Sequence, residues 1–167
     1  MPVSTHNEHA SGFLITFEGP DGGGKTSQSQ LLLERLRETG HNVVGTREPG
    51  GTRLGELLRE LMLNSDTESG EASARVEALL LSAARAHHVD EVIKPALANN
   101  TIVLCDRFVD STIAYQGRGS QLDIDSLRRL NHFATGSLVP DLVVLVDIPA
   151  AEGLARRLRL VTGNEAD

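Results

Sequence analysis

Apolar residues in this chain fall alternately into short unbroken runs and helix-spaced stripes. "FLITFE" (13–18) is a run of strand length, followed by a stripe with Leu31, Leu32, Leu33 and Leu36 that predicts a helix over Lys25 to Glu38. Gly40 stands where a helix stop belongs, and "NVVGT" (42–46) reads as a second strand. A helix around Leu54 to Leu63 leads into a polar loop at Asn64 to Gly70. An alanine-rich helical stretch then runs from Ala72 to Ala98, with a break expected before Pro95 because proline disfavours helical geometry in the residue ahead of it. "TIVLC" (101–105) and "LVVLV" (142–146) are the third and fourth strands; helical segments are predicted at Val109 to Gln116, Ile124 to Phe133 and Ala150 to Leu160. Strands separated by helices imply parallel crossovers, hence a three-layer α/β/α domain whose ligands bind at the carboxyl ends of the strands.

Composition narrows the class. The 167 residues, 40% of them hydrophobic and 23% charged, suit one domain: a tail at 1–12 and a folded unit at 13–167. No apolar run approaches the roughly 18 residues of a membrane span, so no membrane partner is expected. A net charge of −7 argues against a nucleic-acid-binding surface, and any anionic ligand must be held by individual basic groups. The single cysteine, Cys105, excludes an internal disulfide framework and fits a reducing cytoplasm; it is expected as a small core residue.

The chemistry begins where the first strand ends. Gly19, Pro20, Asp21, Gly22, Gly23, Gly24, Lys25 and Thr26 match G-x-x-x-x-G-K-[ST] between a predicted strand and a predicted helix, the context that a phosphate-binding loop requires. Glycines let backbone amides turn toward phosphate oxygens, and the helix amino terminus adds its dipole. Lys25 reaches the β- and γ-phosphates of a nucleotide, and the Thr26 hydroxyl suits Mg²⁺. Ser27 continues the loop into the helix. The chain has no Asn-Lys pair, which argues against a GTPase. Three further strand ends carry chemistry: "TREPGGT" (46–52), "CDRFVDSTIAYQG" (105–117) and "DIPAAEGLARRLR" (147–159). Arg47 and Arg107, directly after buried strands, suit planar recognition of a second phosphate. A kinase acting on a nucleotide needs such cations between two anions.

Taken with "SAARAHHVDEVIKPAL" and "PDLVVLVDIP", these motifs make the chain resemble the bacterial thymidylate kinases from about Phe13 onward. The resemblance implies a P-loop NTPase fold, Mg²⁺-dependent transfer of the γ-phosphoryl group of ATP to dTMP, and a homodimer formed through the alanine-rich helix. It places Asp21 on the sugar 3′-hydroxyl, Arg47 and Arg107 on the 5′-phosphate, Arg85 on the thymine edge, and Asp106 with Thr26 at Mg²⁺. Asp147 has the same strand-then-acid form as Asp106 and ranks second, as a helix cap or hydrogen-bond acceptor. Ser111, Thr112, Tyr115 and Gln116 follow Arg107, with the last three near one helical face that in the family covers base and sugar. Glu48 and Pro49 either touch the ligand or shape their loop. His87 and His88 diverge as helix neighbours and are expected at the surface or an interface.

Two departures from the family stand out. Leu81 occupies a position, one helical turn before Arg85, where the family often has a phenylalanine able to stack on thymine. The chain also stops at "RLRLVTGNEAD", where the family continues through a lid, a final strand and helices, so a truncated domain with an exposed "LVVLV" edge is expected, its lid opening near residue 156 and Asp167 matching a lid aspartate. Some family members carry a catalytic arginine within the P-loop; Gly22, Gly23 and Gly24 offer no side chain there, which turns attention to Arg156, Arg157 and Arg159. The alternatives are a kinase for another nucleoside monophosphate or a deoxynucleoside, and a nucleotide-binding domain without useful turnover.

Overall fold

In the computed structural model, described over residues 12–64 and 71–162, four strands form one wholly parallel sheet in the order β2-β3-β1-β4. The strands are β1 (Phe13–Glu18), β2 (Val43–Arg47), β3 (Ile102–Asp106) and β4 (Leu142–Leu145). Between them run α1 (Lys25–Glu38), α2 (Arg53–Asn64), α3 (Glu71–His88), α4 (Lys94–Ala98), α5 (Val109–Thr112) and α6 (Ile124–Thr135), with α7 (Ala150–Thr162) after β4. The first strand and first helix have the expected limits; the second and third strands lie one residue further along the chain than predicted.

Period-two alternation along the central strands divides the core into two layers. Leu14, Val103 and Cys105 pack with Val89, Ile93, Leu97, Phe108 and Leu138 on one face, while Ile15, Phe17 and Leu104 pack with Leu33 and Val43 on the other. Each fully buried aliphatic or phenyl side chain contributes about 1.5–3 kcal/mol, so the layers fix the register that brings four strand ends together. β4 is different. Leu142, Val143 and Leu145 are exposed, the open apolar edge that the sequence led us to expect.

No break precedes Pro95. The chain remains helical from α3 into a π-helical turn over Val89–Ile93 and on into α4, where Pro95 sits in the first turn and its missing N–H is harmless. A second π-helical stretch, Ile113–Gly119, continues α5. The i→i+5 bonding there alters the expected facing: Thr112 and Gln116 are buried, whereas Tyr115 is exposed. The expected acidic partner Asp167 and the tail over 1–11 lie outside the described residues, as does the loop at 65–70.

Candidate active site

The carboxyl ends of β1, β2 and β3 open into one cleft of about 1600 Å³, larger than an ordinary small-molecule site. Asp21, Lys25, Thr26, Arg47, Asp106 and Arg107 all line it, together with Arg156 and Arg159 from α7. Two glycines show why the P-loop is built as it is. Gly24 caps α1 with φ of 94°, a left-handed geometry that side chains resist. Gly22, also at positive φ, lies against α7, where a Cβ would overlap the Gly153 carbonyl.

Lys25 folds across the loop and donates to the Pro20 carbonyl at 2.8 Å. Burial, then the nearby Arg107 guanidinium, hold its pKa below the ordinary lysine value, against the opposing pull of Asp106, Asp21 and Glu18. Beside it, Thr26 donates its hydroxyl to Asp106 Oδ2 at 2.5 Å. Asp106 Oδ1 is buried and has no hydrogen-bond partner among the described residues. An orphaned carboxylate oxygen next to a threonine hydroxyl and a phosphate-binding loop fits Mg²⁺, which favours hard oxygen donors near phosphates.

Arg107 is the hub of a hydrogen-bond network beside the P-loop. Its backbone takes a positive φ of 71°, uncommon for a residue with a Cβ and concentrated at functional sites. Its guanidinium donates to Asp21, to Ser111 Oγ at 3.0 Å and to the Gly19 carbonyl at 3.4 Å, and lies 5.2 Å from the centre of the Tyr115 ring. Asp21 is shared: Arg157 Nη1 donates to its other oxygen at 2.8 Å, tying α7 to the P-loop. Arg47, half-exposed, pairs with Glu56 of α2 at 2.9 Å. Arg156 pairs with Glu152 on its own helix.

Arg85 is not on the cleft wall. It is 3% exposed, and its guanidinium donates to Glu48 at 2.6 Å, Asn131 at 2.5 Å, and the Phe108 carbonyl and Thr112 hydroxyl at 3.1 Å each. Glu48 is buried as well and engages both Arg85 and His88, while also lining the cleft. His88 corrects the surface expectation: it is fully buried, with Nε2 2.6 Å from Thr46 Oγ1 and Nδ1 3.1 Å from Glu48 Oε1. His87, partly buried, meets Thr52 at 3.1 Å. Pro49 follows Glu48 through a cis peptide bond. Leu81 is partly buried on α3 and does not line the cleft.

Asp147 is exposed and lies ahead of α7, whose first turn is closed by the Glu152 and Gly153 N–H groups on the Pro149 carbonyl; among the described residues no capping bond from Asp147 is found. Cys105, Glu48 and His88 place potential metal-binding atoms within 4.8 Å of one another. Each is already engaged. Burial pushes the Cys105 thiol well above the ordinary range, and its sulfur donates to the Arg107 carbonyl at 3.1 Å, so the cluster is a polar seam of the core.

Three residues that engage site side chains have no role in the motif reading: Glu18, which accepts from Ser111, Glu56, which pairs with Arg47, and Asn131, which accepts from Arg85. Asn131 carried a signal, because it falls on the helical stripe of Leu127, Ala134 and Thr135 that α6 buries. Glu18 carried one too, as an acid ending a strand buried along almost its whole length.

The thymidylate kinase family model matches residues 17–164. The chain is 58% identical over 146 residues to a thymidylate kinase of Thermomicrobium roseum, covering 87% of this chain and 67% of that protein. A thymidylate kinase of Exiguobacterium sp. is 51% identical over 146 residues, covering 87% and 68%. The crystal structure of thymidylate kinase from Ehrlichia chaffeensis superposes with a TM-score of 0.78 at 40% identity, covering 92% of this chain and 89% of that one. The chain therefore spans about two thirds of the length of the curated relatives it matches.

Proposed function

The chain belongs to the thymidylate kinase family, and from that premise we propose how it phosphorylates dTMP to dTDP with ATP as donor. The observation that carries the reading is the distribution of charge in one cleft: Lys25, Thr26 and Asp106 at the P-loop, and Arg47 and Arg107 at the neighbouring strand ends. The P-loop side receives the phosphates of ATP, and the arginine side receives the phosphate of dTMP. Two anionic molecules repel as they approach, and cations between them remove that barrier while aligning attack. The acceptor phosphate is itself the nucleophile and needs no strong base.

Lys25 draws the transferring group forward, and the main-chain amides of the P-loop hold the phosphates behind it. Thr26 and Asp106 would hold Mg²⁺, which would supply positive charge against the donor phosphates. Asp21 orients the acceptor sugar, and Tyr115, stacked on Arg107, borders it. Ser111 and Glu48 steady the arginines. Arg85, Thr112 and Gln116 act from beneath the site, and Leu81 contributes apolar surface on the same helix as Arg85.

The protein assembles as a homodimer and works in the cytoplasm. The dimer is supported by apolar residues left exposed on the packed pair α2 and α3, among them Leu57, Leu61, Val76 and Leu79. Among the described residues no helix is long and apolar enough to cross a membrane. The discriminating experiment is an ADP-release assay across nucleoside monophosphates, with calorimetric titration of Arg47→Ala and Arg107→Ala. dTMP should be the preferred acceptor, and both variants should bind dTMP at least about tenfold more weakly with ATP affinity little changed. Equal turnover on other monophosphates, or unchanged dTMP affinity in both variants, overturns the assignment.

A further inference from the structure

Glu18 closes β1 at 4% exposure, although a carboxylate is costly to bury without compensation. Its compensation comes from one place. Oε1 accepts the Phe108 N–H at 2.8 Å, and Oε2 accepts the Ser111 hydroxyl at 2.6 Å. Immediately before the first of these anchors stands Arg107, whose own N–H bonds to the Phe17 carbonyl at 2.9 Å. The two peptide units that flank the left-handed Arg107 are thus both fastened to the end of β1. The Ser111 oxygen that donates to Glu18 also accepts from Arg107 Nη1 at 3.0 Å, so the same carboxylate braces backbone and guanidinium.

We propose that Glu18 is a positioning residue for acceptor binding: it holds Arg107 in its unfavourable backbone conformation and, through Ser111, sets the direction of its guanidinium. The inference rests on the reading of Arg107 as a ligand of the acceptor phosphate. A carboxylate suits the task better than a neutral acceptor, because one group accepts two hydrogen bonds at fixed geometry and charge strengthens both. The environment does little else for it. Burial raises its pKa, the Ser111 and Phe108 hydrogen bonds oppose that rise, and Asp110 adds to it.

The test is steady-state kinetics of Glu18→Gln, Ser111→Ala, Arg107→Ala and the double variant Glu18→Gln/Arg107→Ala. Glu18→Gln preserves shape but replaces the oxygen facing Ser111 with a donor. It should raise KM for dTMP about tenfold while KM for ATP and kcat stay within about twofold, a split that general loss of folding does not produce. Arg107→Ala should raise KM for dTMP further, and adding Glu18→Gln to it should cost nothing more, because the two act as one unit. A normal dTMP KM in Glu18→Gln, or a full tenfold loss added on top of Arg107→Ala, overturns the proposal. Should Glu18→Gln fail to fold, Ser111→Ala cuts only the side-chain branch and should raise KM for dTMP about threefold; an unchanged value overturns the proposal equally. If Arg107→Ala itself leaves dTMP binding intact, the phosphate reading of Arg107 falls; if Arg107→Ala is impaired while Glu18→Gln is normal, only the role of Glu18 falls.

Discussion

Thr26 and Asp106 face each other across the cleft floor, 2.5 Å from hydroxyl to carboxylate, although 80 residues separate them in sequence. The pairing of β1 with β3 sets this relationship, because Phe17 registers against Asp106 and the P-loop leaves β1 just beyond that point. The arrangement satisfies one Asp106 oxygen and leaves the other buried without a partner. Asp106→Asn keeps the shape and removes the charge. It should lower kcat by about 100-fold and raise the Mg²⁺ concentration needed for half-maximal rate, while ATP binding without metal changes little. A variant with normal turnover and the same Mg²⁺ dependence would remove Asp106 from the metal site.

Lys25 links function to a cost in stability. Its ammonium is desolvated and lies near Arg107, so its pKa in the folded protein is lower than in the unfolded chain. The sign follows: below both values the folded state is penalised for holding the charge, and the penalty disappears as pH rises through the folded and then the unfolded pKa. Lys25→Met should therefore abolish detectable transfer and raise the unfolding midpoint of the ligand-free protein at neutral pH. A lower midpoint in a scanning fluorimetry experiment would contradict the electrostatic account.

Much of this site was legible because its parts are local. The P-loop carries its whole signal in consecutive residues, and Arg47, Asp106 and Arg107 follow apolar runs that only a buried strand explains. What escaped required knowledge of what crosses between elements. Arg85 reads, through the family resemblance, as a contact to the thymine edge, yet it lies on the buried stripe of Ala78, Ser82 and Val89, and three other segments supply its acceptors. Pro95 suggested an interruption because local geometry disfavours helix before proline, but a π-helical turn absorbs the misfit one turn earlier. The pairing of Thr112 with Gln116, and not with Tyr115, likewise depends on a π-helical stretch that apolar spacing does not reveal.

Glu48 and Arg85 should govern stability more than their place beside a substrate cleft suggests. The pair is 5% and 3% exposed, and its members also hold His88 and Asn131. Removal of one partner from such a pair leaves an uncompensated buried charge, at a cost of about 3–5 kcal/mol. Glu48→Ala is expected to lose about 3 kcal/mol in urea unfolding, whereas Glu48→Gln, which keeps an acceptor for Arg85, should lose about half as much. A loss under about 1 kcal/mol in Glu48→Ala would show that the network is not a structural keystone, and would return Glu48 to the list of direct ligand contacts.

The arginines of α7 address the remaining question of charge in the transition state. Phosphoryl transfer spreads negative charge over the moving group, and a well-placed arginine contributes several orders of magnitude in rate. The P-loop has no side chain for this between Gly22 and Gly24, whereas α7 brings Arg156 and Arg159 to the cleft and ties Arg157 to Asp21. The present partners of Arg156 and Arg157 are exposed carboxylates, and such exposed pairs are worth little, so exchange of Glu152 or Asp21 for a phosphate oxygen has a small barrier to overcome. Replacing Arg156, Arg157 and Arg159 together by alanine should lower kcat at least about tenfold while KM for dTMP stays within about twofold, the pattern of an interaction made mainly in the transition state. Arg157→Ala alone should have the smallest effect on kcat of the three single variants, because its guanidinium serves the P-loop aspartate and does not line the cleft. Unchanged kcat in the triple variant would exclude α7 as the source of the cation; a raised dTMP KM with normal kcat would assign its arginines to acceptor binding instead.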